Sequence, residues 1–88
     1  MATFMVIEFL RPGKKAEVYK RFREKGRMLP EGLVYLDSWL EKDGDRCFQL
    51  MEAPDRSLFA GWISKWDDLA EFEVVAIGEK PDGNDQSD

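Results

Sequence analysis

Hydrophobic and polar residues alternate in four stretches of the chain, and the two stretches between them repeat their apolar residues at helical spacing instead. The alternating stretches are rich in β-branched and aromatic residues, which is typical of strands. The predicted strands are residues 3–9, 33–41, 46–52 and 69–77. The predicted helices are residues 14–28 and 54–66, where apolar side chains fall three or four positions apart. The predicted order is therefore βαββαβ.

Turn-forming residues separate these elements. Pro30 and Gly32 stop the first helix, and Asp55 is the predicted N-cap of the second. Asp43-Gly44 predicts a two-residue hairpin turn, because this dipeptide tolerates positive φ angles. That turn sets the register of the second and third strands, with the predicted pairs Leu40–Cys47, Ser38–Gln49 and Leu36–Met51.

The fold class that follows is α+β and ferredoxin-like, with one four-stranded antiparallel sheet and both helices on one face. The chain has 88 residues, of which 43% are hydrophobic and 35% charged, as expected for one small globular domain. We assign this domain to residues 1–80. Residues 81–88 contain three aspartates and no basic residue, so we predict a disordered acidic tail there.

The face of the sheet beneath the helices should carry no charge, because burying an unpaired charge is costly. Successive strand residues point to opposite faces, so this rule selects one set of side chains. The predicted helix-facing residues are Met5, Ile7, Phe9, Val34, Leu36, Ser38, Leu40, Cys47, Gln49, Met51, Phe72, Val74 and Ala76.

The opposite face is also apolar at its centre, where the rule places Phe4, Val6, Tyr35, Trp39, Phe48 and Leu50. Contiguous apolar patches usually mark an interface, and covering a few such side chains is worth several kcal/mol at roughly 25 cal/mol per Å². The simplest cover is the same face of a second copy. We therefore predict a homodimer with sheet facing sheet; the alternative is a set of scattered apolar residues tolerated in water.

One candidate pocket lies between the predicted helices and the sheet. It combines a few polar groups on the sheet with aromatic side chains on the helices, as small-ligand sites usually do. Its candidate residues are Tyr19, Ser38, Cys47, Gln49, Trp62 and Trp66. The alternative is that both tryptophans are simply core and that Ser38 and Gln49 bond to each other.

The chain has no histidine and one cysteine, Cys47. The commonest general base, the usual zinc ligand and the usual haem ligand are therefore missing, and we expect no cofactor and no metal. Cys47 cannot form an internal disulfide, which favours a reducing, cytoplasmic location. A reactive thiol needs a nearby cation, and Arg46 points to the other face, so we interpret Cys47 as a structural residue.

Charged residues suggest two further sites, both of which we disfavour. Five carboxylates fall on the predicted dimer-facing side, where they could act as acids and bases or bind a divalent cation; we interpret them as a solvated rim. They are Glu8, Asp37, Glu52, Glu71 and Glu73. Residues 14–27 hold seven basic residues against two glutamates, yet lack the free aromatic residues that stack on bases, so we expect no nucleic-acid partner.

No run of about 20 apolar residues is present, and the N-terminus has no basic leader, so we expect neither a membrane span nor a secretory signal.

Several stretches together resemble a family of short bacterial proteins known only as a domain of unknown function. They are RMLPEGL at 27–33, DSW at 37–39, RCFQLME at 46–52, the pair Trp62 and Trp66, and DLAEFEVV at 68–75. The resemblance covers about residues 3–77 and implies membership of the dimeric α/β-barrel superfamily, hence a dimer. It implies no established activity. Relatives include cofactor-free monooxygenases, stress-responsive small proteins and haem enzymes, and the last use a histidine that this chain lacks.

The sequence thus favours a cytosolic homodimer that binds a small molecule without a permanent cofactor. One alternative is a cofactor-independent monooxygenase or isomerase acting on a small aromatic substrate, and another is a structural or regulatory interaction module. Such an enzyme needs a base inside the pocket. Because Ser38, Cys47 and Gln49 are all poor bases, binding ranks above catalysis, and whether the protein is an enzyme stays open.

Overall fold

The computed structural model describes residues 1–79 and has the predicted βαββαβ order. The elements are β1 (Ala2–Leu10), α1 (Lys15–Lys25), β2 (Val34–Leu40), β3 (Arg46–Ala53), α2 (Leu58–Ile63) and β4 (Ala70–Ile77). The ferredoxin-like fold class, with four antiparallel strands and two helices, is confirmed. The predicted tail at 81–88 lies outside the described residues.

The sheet has the strand order β2-β3-β1-β4, and every neighbouring pair is antiparallel. The Asp43-Gly44 turn sets the register as predicted near the hairpin, with Leu40 opposite Cys47 and Ser38 opposite Gln49. Asp43 has a positive φ of 62°, a conformation that aspartate tolerates in turns. In this order β1 pairs with both β3 and β4, and β2 and β4 are the edge strands.

A β-bulge at Leu36 changes the register farther along β2. Tyr35 lies opposite Met51 and Asp37 lies opposite Leu50, so Leu36 is the extra residue. The predicted Leu36–Met51 pair is therefore wrong. The bulge also turns Tyr35 toward the helices, whereas simple alternation placed it on the opposite face.

Both helices are shorter than predicted. Helix α1 ends at Lys25 because Gly26, with φ of 67°, turns the chain and donates its N–H to the Phe22 carbonyl. Helix α2 has six residues and its N-cap is Ser57. The predicted N-cap, Asp55, lies two residues before Ser57, and its carboxylate accepts a hydrogen bond from the Ser57 N–H. Trp66 consequently lies in the turn that follows α2.

The buried core fills the space between the helices and one sheet face. Phe4 and Phe59 meet edge to face with ring centroids 4.9 Å apart, which joins β1 to α2. The buried apolar residues are Phe4, Val6, Leu10, Val18, Leu33, Met51, Ala53, Phe59, Trp62, Trp66, Leu69 and Ala70. Since α1 and α2 both contribute to this one cluster, both helices cover the same face.

The faces of β1 are the reverse of those predicted. Phe4 and Val6, expected at a dimer face, are 5% and 0% exposed beneath the helices. The prediction failed because it assumed that Glu8 must point away from the helices, and Glu8 is only 7% exposed on the helix side. The sheet side away from the helices, which we call the open face, instead carries Met5, Ile7, Phe9, Trp39, Phe48, Leu50 and Val75.

No helix within residues 1–79 combines the length and the apolar character needed to cross a membrane.

Candidate functional site

A cavity of about 220 Å³ lies between the helices and the sheet. Its floor comes from β1, β2 and β3, and its roof comes from α1 and from the indole rings in and after α2. The lining residues are Glu8, Leu10, Val18, Tyr19, Phe22, Arg27, Ser38, Trp39, Leu40, Cys47, Gln49, Trp62 and Trp66. The structure thus brings the six candidate pocket residues around one space.

The two tryptophans of the cavity share one hydrogen-bond acceptor. Trp62 Nε1 donates to the Arg27 carbonyl at 2.9 Å, and Trp66 Nε1 donates to the same oxygen at 3.1 Å. Both rings are almost fully buried. A buried indole N–H needs a hydrogen-bond acceptor, and the Arg27 carbonyl is the acceptor for both. Because both N–H groups are engaged, these rings offer the cavity apolar surface rather than hydrogen-bond donors.

The side chain of Arg27 is held between two aromatic rings. Its Cζ lies 3.6 Å from the Tyr35 ring centroid and 4.9 Å from the Phe22 ring centroid, in the range of cation–π contacts. Within residues 1–79, the guanidinium makes no salt bridge or hydrogen bond. Its charge is therefore available to the cavity that it lines.

Glu8 is the carboxyl group of this cavity. It stands opposite Cys47 on β3 and Phe72 on β4. Burial raises the pKa of Glu8 to about 7, and the positive charge of Arg27 offsets part of that rise. Among the residues that the structure describes, no donor bonds to this carboxyl. A group that exchanges its proton near neutral pH inside a cleft is a candidate for acid–base chemistry.

Cys47 is not poised as a nucleophile. Burial and the neighbouring charge of Glu8 raise the pKa of its thiol to about 11, while Arg27 lowers it in part. The thiolate is the reactive form, so at neutral pH the side chain is a protonated thiol in the cavity floor.

The two remaining polar groups of the floor behave differently. The Ser38 hydroxyl bonds to the Tyr35 hydroxyl at 2.5 Å, a contact that the bulge at Leu36 makes possible by turning both residues to one face. The expected alternative, a bond between Ser38 and Gln49, is not formed. Gln49 is buried and, within the described part of the chain, its amide has no side-chain partner, so its donors and acceptor face the cavity.

Sequence reasoning missed Glu8 and Arg27. Glu8 was assigned to the outer rim together with Asp37, Glu52, Glu71 and Glu73, which do lie on or beside the open face. The signal for Glu8 was available, since Phe4, Val6 and Leu10 share its side of β1 and are as apolar as the other side. Arg27 falls inside the helix predicted for residues 14–28, whereas α1 ends at Lys25, so helical spacing could not predict where its side chain lies. No group of three metal-ligating side chains occurs among residues 1–79.

Comparison with known proteins gives one family and one fold. The family described as Domain of unknown function (DUF3303) matches residues 2–82. A solved structure titled "Crystal structure of antibiotic biosynthesis monooxygenase" superposes with a TM-score of 0.58 at 20% identity, covering 92% of this chain and 100% of that one. At this identity the likeness shows the fold alone. A search of curated proteins gave no match.

Proposed function

The chain belongs to the family Domain of unknown function (DUF3303), and on that premise we propose that it binds a small aromatic molecule in the cavity between sheet and helices. The observation that carries the proposal is the Glu8 carboxyl, which lines a cavity with aromatic walls and accepts no hydrogen bond from another residue of the described chain. Within residues 1–79 no side-chain N or O atom is both buried and unpaired, so the Glu8 oxygens reach the cavity, where a ligand can pair with them.

The size and lining of the cavity suit one substituted ring. Its volume of about 220 Å³ exceeds the roughly 150 Å³ of an engineered cavity that accommodates benzene. Tyr19, Trp62 and Trp66 provide the aromatic surface, and the few polar groups on the floor orient the ligand. This division of roles is usual in small-molecule sites.

A thermal-shift screen of small aromatic metabolites tests the binding function. We expect a compound whose stabilisation of the protein grows with its concentration. Ser38→Leu should abolish the shift because the larger side chain fills the floor. The matched variant Ser57→Leu, which changes an exposed residue away from the cavity, should keep it. No shift with any compound, or equal shifts in both variants, would contradict the proposal.

The open face supports a second copy of the chain as the partner. Trp39 is 49% exposed and Val75 is 37% exposed, and they flank the half-buried Ile7, Phe48 and Leu50. A chain of 88 residues removes only about 60–65% of its unfolded surface from water when it folds alone. A two-fold dimer covers this face with an identical apolar surface.

The single cysteine of the chain, Cys47, is a free thiol, which favours the reducing cytoplasm as the location of the protein.

A second candidate function is catalysis without a cofactor, and the position of Glu8 favours it. The sequence alone placed no good base in the pocket, whereas the structure lines it with a carboxyl whose pKa is about 7. As a base, Glu8 would take a proton from a weakly acidic C–H or O–H group of the ligand, and Arg27 would stabilise the resulting anion. An isomerase returns that proton to another carbon. In a cofactor-independent monooxygenase the anion and O₂ form a C–O bond, the peroxide takes up the proton, and loss of water leaves one oxygen atom on the product.

Exchange of ligand protons with D₂O separates catalysis from binding. For a compound found in the screen, we expect protein-dependent deuterium incorporation, followed by NMR, whose rate rises with pH through about 7 as Glu8 ionises. Glu8→Gln should abolish the exchange and still bind the compound. Exchange that persists in Glu8→Gln would remove Glu8 from this role.

An interaction module without a ligand, the third alternative, has less support because the cavity is not filled by side chains.

A further inference from the structure

We propose that the cavity selects a small aromatic anion, bound with its oxygens against Arg27 and the protonated carboxyl of Glu8. This inference rests on the proposed binding function and names the charge and the protonation state of the ligand complex. The shared chemistry is an aromatic ring with a carboxylate or phenolate oxygen.

The charge of the lining residues is the first argument. Among the described residues that line the cavity, Glu8 and Arg27 alone carry a formal charge. Protonation of Glu8 leaves the cavity with the single positive charge of Arg27, which has no ion-pair partner within residues 1–79. Rings of Phe22 and Tyr35 hold the guanidinium in place, so its N–H donors are pre-organised for a planar oxyanion.

The balance of donors and acceptors is the second argument. Arg27 offers donors only and a protonated Glu8 adds an O–H donor, while the Tyr19 hydroxyl, the Gln49 amide and the Cys47 thiol can each donate as well as accept. The tryptophan N–H groups are excluded from this count because both bond to the Arg27 carbonyl. A donor-rich cavity fits a ligand rich in acceptor oxygens. An organic cation would instead lie beside Arg27 and be repelled.

The protonation state of Glu8 couples this binding to pH. The titratable or charged groups that line the same cavity are Tyr19 from α1, Arg27 from the turn after it, and Cys47 from β3. Helix α2 contributes the uncharged ring of Trp62 to the lining, and on β4 the uncharged residue Phe72 lies opposite Glu8. Above pH 7 the ionised Glu8 must take up one proton when an anion enters. The affinity for an anion should then fall about tenfold per pH unit.

A phenol reaches the same bound state by another route. Its hydroxyl proton moves to ionised Glu8, which becomes neutral, and the phenolate oxygen pairs with Arg27. The complex contains the same three groups in the same charge states, so a phenol needs no proton from solvent. The pH dependence thereby distinguishes a carboxylate ligand from a phenol.

Three probes of nearly equal size test the selection: benzoate, benzyl alcohol and benzylammonium. Quenching of tryptophan fluorescence and titration calorimetry at pH 6.0 and pH 8.5 give their affinities for the full chain. We expect benzoate to bind best at pH 6.0, about tenfold or more ahead of benzyl alcohol, and benzylammonium to bind worst. We expect the benzoate affinity to fall by more than tenfold at pH 8.5, with proton uptake visible in buffers of different ionisation enthalpy.

Variants of the two charged residues show which group is responsible. Arg27→Met keeps an apolar side chain between the rings and the backbone carbonyl that both indoles need, and it should remove the preference for benzoate. Arg27→Lys should restore part of it. Arg23→Met, which removes a positive charge from the exposed side of α1, is the matched control and should change little. Glu8→Gln should bind benzoate with the same affinity at both pH values, because the amide donates a hydrogen bond without titrating.

The outcomes separate this inference from the binding function. Benzyl alcohol or benzylammonium binding as tightly as benzoate, or a benzoate affinity that is equal at both pH values in the unmodified protein, overturns the anion proposal and leaves the pocket intact. Binding of none of the three probes overturns both.

Discussion

At the scale of single residues, Glu8 is an ionisable residue that folding removes from water, with only 7% of its surface left exposed. In the unfolded chain its carboxyl ionises near its ordinary pKa of 4.5, and in the folded protein burial raises that pKa to about 7. The native state therefore holds the proton more tightly than the unfolded state. This group stabilises the fold fully below pH 4.5, and its contribution is lost as the pH rises through 7.

Replacing this carboxyl should reveal the loss directly. We expect Glu8→Gln to raise the free energy of unfolding at pH 8 by up to about 3 kcal/mol, because burial raises the pKa of the Glu8 carboxyl from 4.5 to about 7. The difference should vanish below pH 5. Urea unfolding across this pH range measures it. Glu73→Gln, at an exposed position of β4, is the control and should show no such gain; equal behaviour of the two variants would contradict the assignment.

Cys47 allows a second test at this scale. Its thiol has a pKa of about 11 against an ordinary 9.0, so about a hundredfold less thiolate is present at pH 8. We expect iodoacetamide to modify the folded protein far more slowly than the urea-unfolded chain, followed by mass spectrometry. Glu8→Gln removes a neighbouring negative charge and should accelerate the reaction modestly. Equal rates in folded and unfolded protein would mean that the thiol is open to water.

Which cavity residues the sequence could predict depended on the rule that placed them. Cys47, Gln49 and Ser38 follow from the Asp43-Gly44 turn, since a two-residue hairpin sets the register of its flanking strands. Glu8 was missed because a different rule, that charged residues avoid the face beneath the helices, placed it outside, and a carboxyl with a raised pKa can be buried there in its protonated form. Arg27 was not predicted as a cavity residue because the position of its side chain depends on tertiary contacts with Tyr35 and Phe22.

At the scale of elements, the turn after α1 and the segment around α2 are joined at one atom, the Arg27 carbonyl. Gly26 and Met28 on either side of Arg27 both have positive φ angles, which turn this carbonyl toward the two indoles. The helix boundaries were the least predictable part of the fold for the same reason. Helical spacing continues through Arg27 and Trp66 in the sequence, whereas the observed helices end where these hydrogen bonds replace helical ones.

A double-mutant cycle on the two indoles measures this junction. We expect Trp62→Phe and Trp66→Phe each to lose about 1 kcal/mol from one hydrogen bond, besides any loss of packing, because the other indole still satisfies the carbonyl. The double variant leaves the carbonyl without either donor and should lose about 1 kcal/mol more than the sum. Chemical unfolding gives the four values. Trp39→Phe, on the open face, serves as the control, and strict additivity would contradict a shared acceptor.

At the scale of the whole molecule, residues 1–79 form a sheet with two helices on one face and none on the other. The alternating pattern showed that both faces are apolar, and this part of the prediction survives the exchange of Phe4 and Val6 for Met5 and Ile7. It survives because swapping the faces of a strand that is apolar on both sides leaves the total apolar area almost unchanged. The homodimer that follows from this pattern stays a prediction.

A charge at the centre of the open face should abolish the proposed dimer. We expect Phe48→Lys to sediment as a monomer at micromolar concentration, because pairing would bury two unpaired ammonium groups. Ala16→Lys, on the exposed side of α1, should remain dimeric. Sedimentation velocity at several concentrations distinguishes them. An unmodified protein that is monomeric throughout this range would exclude the dimer.

The extra residue at Leu36 has a consequence for how cavities of this architecture diversify. It allows Tyr35 and Ser38, three positions apart, to reach the same side of an edge strand, where one supports the arginine and the other closes the floor. Deleting a single codon there would send Tyr35 outward and disturb pairing with only one neighbouring strand. Small insertions and deletions in β2 can therefore change which side chains line the cavity, and hence the ligand preference, while the rest of the sheet keeps its pairing.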